Sequence, residues 1–79
     1  SHTILYGKII NNLTNLTVDT VTISIYKAPN SYTGENIIEI GCHGSNVLVR
    51  EILDLLYKNG AQPATAGEFT KRAFINGKL

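Results

Sequence analysis

The stretch Asn36-Ile37-Ile38-Glu39-Ile40-Gly41-Cys42-His43-Gly44-Ser45 decides how this chain folds. Its isoleucine run is β-branched and predicts a strand, in which Ile38, Ile40 and Cys42 share one face and Ile37, Glu39 and Gly41 the other. Glu39 is the anomaly, because a carboxylate in a strand built for burial needs a partner. Gly41 has no side chain, which reads as open space beside that carboxylate. After Gly44 the period changes. Leu48, Ile52, Leu55 and Leu56 fall at helical spacing, with Ser45 as N-cap, an Asp54/Lys58 pair four residues apart, and Gly60 at the C′ position, so a helix is expected from Ser45 to Asn59.

Upstream, Thr3 to Ile10 and Thr20 to Tyr26 alternate and read as an antiparallel hairpin across the turn residues Asn11 to Asn15. Lys27 to Glu35, punctuated by Pro29, Asn30, Ser31 and Gly34, is a loop. Downstream, Ala61 to Ala64 reads as a short strand limited by Pro63. Thr65-Ala66-Gly67-Glu68 has capping-box spacing and opens a second helix through Phe69, Ala73 and Phe74, closed by Asn76-Gly77. The expected order is β-β-β-α-β-α, an α+β domain with two helices on a small mixed or antiparallel sheet.

Seventy-nine residues make one small domain, residues 1–79, with a thin margin of stability. A net charge of +1 gives no bulk electrostatic footprint for nucleic acid or anionic membrane. The single cysteine excludes an internal disulfide and points to a reducing, cytoplasmic setting. Apolar runs are too short to span a bilayer, and no signal-peptide pattern opens the chain. The absence of methionine and the stop at Lys78-Leu79, straight after a helical segment, read as an excerpt from a larger protein.

Three motifs invite chemistry. Ile40-Gly41-Cys42-His43-Gly44-Ser45-Asn46-Val47 fits the string of a KH RNA-binding loop, but there the loop joins two helices, whereas here a strand is expected before Gly41. Cys42 and His43 cannot supply a closed zinc site in a chain whose one other candidate is His2, and adjacent strand residues pair poorly as nucleophile and base. Gly77-Lys78 resembles the end of a phosphate-binding loop, yet Arg72 stands at the first glycine position and Leu79 at the Ser/Thr position. Lys71, Arg72 and Lys78 read as a solvated basic helix end. Neither a catalytic group nor a metal ligand set is assigned. Glu39 has either an internal cation such as Lys8 or a ligand, and sequence alone leaves both open.

Ala28-Pro29-Asn30-Ser31-Tyr32-Thr33-Gly34-Glu35-Asn36, Ile38-Glu39-Ile40 with Cys42-His43-Gly44, and Gly67-Glu68-Phe69-Thr70-Lys71-Arg72-Ala73-Phe74-Ile75-Asn76-Gly77-Lys78-Leu79 together resemble the amino-terminal domain of the TrmE (MnmE) family of tRNA-modification GTPases. The resemblance implies a domain similar to folate-dependent one-carbon enzymes that binds 5-formyltetrahydrofolate and forms a homodimer. It implies a parent protein with further helical and GTPase domains, using GTP, magnesium and potassium. With a flavoprotein partner, such a parent modifies the wobble uridine of certain tRNAs. The family's folate-contacting Glu falls on Glu39 and its Lys on Lys78, while an Arg contact falls upstream of Ser1. Ala66 and Ser45 depart from the family's usual Pro and Gly. On this resemblance Glu39 takes the N–H donors of a pterin edge, with Gly41 leaving the ring room.

Overall fold

A computed structural model describes residues 2–79. Strand β1 spans His2–Ile10, β2 spans Thr17–Tyr26 and β3 spans Ile37–Gly41. They form an antiparallel sheet in the order β1-β2-β3. The hairpin turn is built as its asparagines predict. Asn11 Oδ1 accepts from the Leu13 and Thr14 amides, and Asn15 adopts the left-handed conformation at φ 61°. A bulge between Ile9 and Ile10 lets β2 begin three residues earlier than its clean alternation suggested.

Helix α1 covers Asn46–Lys58 and α2 covers Glu68–Ile75. The Ser45 side chain accepts from the Leu48 amide and caps α1. Both helices end alike. Gly60 and Ala61 donate to the Tyr57 and Leu56 carbonyls, and Gly77 and Lys78 donate to those of Phe74 and Ala73, so each glycine closes a Schellman motif at positive φ. The capping box of α2 forms by half. Glu68 Oε1 reaches back to the Thr65 amide at 2.9 Å, but Gly67 is the N-cap and no side chain caps the helix.

Two expectations are corrected. Residues 61–64 are irregular, so the order is β-β-β-α-α and the domain remains α+β. Pro63 cannot donate to a ladder, and Gln62, Pro63 and Ala64 line a groove instead of pairing. The ion pairs among the described residues join His43 to Asp19 and Arg72 to Glu35 and Glu68, so the Asp54/Lys58 pair does not form.

The hydrophobic core is thin. Among the described residues, Val21 on β2, Ile52 on α1 and Ala73 on α2 are its buried apolar residues. Ile52 lies on the predicted stripe of α1, which packs against β2. Ile4, Leu5, Tyr6 and Ile10 on the edge strand β1 stay exposed. The Cα radius of gyration is 14.2 Å, against about 12 Å for a compact chain of this length. No helix among the described residues is long and apolar enough to cross a membrane.

Candidate functional site

The site begins with the register of β2 and β3. Ser24 faces Glu39, Thr22 faces Gly41 and Tyr26 faces Ile37, so Glu39 shares the hydroxyl-rich face of the sheet. Glu39 is exposed. Its one side-chain partner among the described residues is the Tyr26 hydroxyl, which donates to Oε1 over a long 3.4 Å. Burial first, and the Glu39 charge second, raise the Tyr26 pKa above its ordinary value and keep the phenol a donor. Lys8 is not an internal partner of Glu39, for it lies on β1, across β2.

Gly41 does not line the Glu39 groove, and its Cβ position is not open space. A Cβ there would stand 2.5 Å from Thr22 Oγ1, so the close approach of the opposite threonine requires glycine. The strand directly before Gly41 also removes the KH reading, which needs a helix at that point.

Beside Glu39 runs a groove of about 580 Å³ between β3, the 32–36 loop, the irregular 62–64 segment and the start of α2. It holds three carboxylates and one cation: Glu35, Glu39, Glu68 and Arg72. Arg72 Nη2 and Nε donate to Glu68 Oε2 at 2.7 and 3.0 Å, and Nη1 donates to Glu35 Oε1 at 2.9 Å. Asn76 Nδ2 donates to Glu35 Oε2 at 3.0 Å and to the Thr33 carbonyl at 2.8 Å. These donors lower the carboxyl pKa values: Asn76 and then Arg72 for Glu35, the Thr65 amide and then Arg72 for Glu68. The Arg72 pKa rises in return, mainly through Glu68 and then Glu35. Glu39 is therefore the one groove carboxylate without a cation among the described residues.

The expected Lys78 lies elsewhere. It is not a lining residue of the groove, and its aliphatic stem packs over Gly34, where a Cβ would meet Lys78 Cγ at 3.2 Å. Glu39 and Lys78 are thus not brought into one cavity. Arg72, read as solvated, is the hub of the carboxylate network. The signal for it was the pairing of Glu68 with Arg72 at i,i+4, which the sequence showed, whereas Glu35 is 37 residues away.

His43 has a structural task. The Asp19 side chain is 8% exposed; its Oδ1 meets His43 Nδ1 at 2.7 Å and its Oδ2 accepts the His43 amide at 2.9 Å. The His43 amide leads the causes that lower the Asp19 pKa. This pair fastens the β3–α1 turn to β2.

The family model described as GTP-binding protein TrmE N-terminus matches residues 1–78. The chain belongs to the TrmE amino-terminal family. It is 52% identical over all 79 residues to a tRNA modification GTPase MnmE of Flavobacterium johnsoniae, covering 16% of that protein. Identity is 49% to the MnmE of Carboxydothermus hydrogenoformans and 52% to that of Thermoanaerobacter pseudethanolicus, each over the whole chain and 17% of the relative. The chain spans about a sixth of these TrmE-family relatives. Within this TrmE domain, the groove beside Glu39 is lined by residues of β3, the 32–36 loop, the 62–64 segment and α2.

Proposed function

We propose that the chain is the tetrahydrofolate-binding and dimerisation domain of a cytoplasmic, GTP-hydrolysing tRNA-modification protein that acts on the wobble uridine of certain tRNAs. The observation that carries the ligand reading is Glu39: an exposed carboxylate, without a cation among the described residues, at the side of a groove of mixed polar and apolar lining. A carboxylate is acceptor-only and takes two parallel N–H donors, the pattern of a pterin's aminopyrimidine edge. 5-Formyltetrahydrofolate is the ligand. Lys78 meets an electronegative part of it from outside the groove. The exposed apolar side chains of β1 support association with a second copy. GTP, magnesium and potassium belong to the GTPase domain of the parent, and the flavoprotein partner and tRNA to the full complex.

The test is calorimetric titration of the full-length protein with 5-formyltetrahydrofolate. Loss of a charged hydrogen bond costs about 1.5–3 kcal/mol, so Glu39→Ala weakens binding about ten- to a hundredfold with folding intact. Unchanged affinity refutes the role of Glu39.

A further inference from the structure

Two half-exposed aromatic side chains line the Glu39 groove. Phe69 is 53% exposed and Tyr32 54% exposed. Phe69 is not a stray surface residue. It stands four positions before Ala73, which is 0% exposed, so both lie on the inward stripe of α2. Its neighbours Glu68 and Arg72, on the same side of the helix, also line the groove. Tyr32 is tethered to this turn, since its hydroxyl is 3.0 Å from Thr70 Oγ1. Ile37, Ile38 and Pro63 add apolar surface to the lining. With Glu35 and Glu68 engaged by Arg72, Asn76 and Thr65, the groove offers one carboxylate without a cation among the described residues and two half-exposed rings.

We propose that Phe69 and Tyr32 are the ring-contacting residues of this groove, and that they select a ligand with a planar heteroaromatic ring, the pyrimidine ring of a tetrahydropterin, whose N–H edge meets Glu39. The inference rests on the folate reading above and adds two residues to it. A donor-bearing but non-planar ligand would satisfy Glu39 and leave both aromatic surfaces wet. The planar pyrimidine ring of a tetrahydropterin lies against them, and aromatic pairs are stabilised beyond the area they bury.

The experiment is titration of the full-length protein with 5-formyltetrahydrofolate, by calorimetry and by proton NMR of the ligand. Phe69→Leu and Tyr32→Leu, which keep apolar bulk and lose the ring, each weaken binding about three- to tenfold. Tyr32→Phe, which keeps the ring, stays within about twofold of wild type. In the wild-type complex the pterin-side protons shift upfield under the ring current, and the shift shrinks in Phe69→Leu. The NMR arm needs no variant, so a misfolded substitution does not decide the matter. Wild-type binding with no upfield shift, or leucine variants of unchanged affinity beside a weakened Glu39→Gln, overturns this inference while the folate reading stands. A wild-type protein that does not bind the ligand overturns both.

Discussion

Gly41→Ala separates space left for a ligand from space taken by a neighbouring strand. The alanine Cβ would lie 2.5 Å from Thr22 Oγ1 but 3.9 Å from Thr22 Cβ, so a single atom clashes. That atom cannot move freely, because a β-branched side chain is stiff about χ1. Forcing Thr22 off its rotamer costs about 0.5–1.5 kcal/mol, and pushing the strands apart by overpacking costs about 1–3 kcal/mol. The edge strand β3 is paired on one side only, which allows some relief, so the expected loss is about 1–2 kcal/mol. For a domain of this size that lowers the thermal midpoint by roughly 4–16 °C. Thermal unfolding of the chain, followed by far-UV circular dichroism, measures it. In a Thr22→Ala background the clashing oxygen is gone, and Gly41→Ala should then cost less than about 0.5 kcal/mol, a coupling of roughly 1 kcal/mol. Equal losses in the two backgrounds would refute the reasoning. A variant of unchanged midpoint that loses folate affinity would restore Gly41 as ligand space.

Two further outcomes follow from the clamp between α2 and the preceding loop. Glu35 and Glu68 have folded-state pKa values below their ordinary 4.5, so the unfolded chain binds more protons than the folded one in this range. Their stabilisation is therefore full above about pH 4.5 and is lost as the pH falls through the lower folded values; urea midpoints measured from pH 6 down to 3 should fall with acid, and Arg72→Met should flatten that fall. An identical slope in the variant would count against the clamp. Gly34→Ala places a Cβ at φ +81°, 3.2 Å from both Asn76 Cβ and Lys78 Cγ, and left-handed backbone alone costs a non-glycine residue about 1–2 kcal/mol. Its thermal midpoint should drop, and the Lys78 amide resonance should move with it; an unaltered midpoint would show that α2 does not rest on Gly34.

Local chemistry made much of this domain legible in the sequence. The Ser45 cap, the glycines at both helix ends, the asparagine turn and the Ile37–Gly41 strand depend on neighbours a few residues away, and all formed. The failures were of another kind. Residues 61–64 have strand composition but no ladder, since pairing needs a partner edge that the sequence does not supply locally. The space read beside Gly41 belongs to Thr22, which register alone brings opposite it. Arg72 looked solvated because one of its two carboxylates is 37 residues distant.

By itself the sequence determined an α+β domain of the TrmE family, two capped helices, and a carboxylate in an isoleucine strand that wants donors. Only the tertiary structure decided which carboxylates are free. Docking α2 on the 31–36 loop lets Arg72 and Asn76 satisfy Glu35, while Arg72 and Thr65 satisfy Glu68, and Glu39 is left with a long contact to Tyr26. It also put Lys78 over Gly34, outside the groove that Glu39 lines. The reason is physical: charge partners and groove walls are set by distances between segments far apart in the chain, and spacing along the chain carries no measure of those distances.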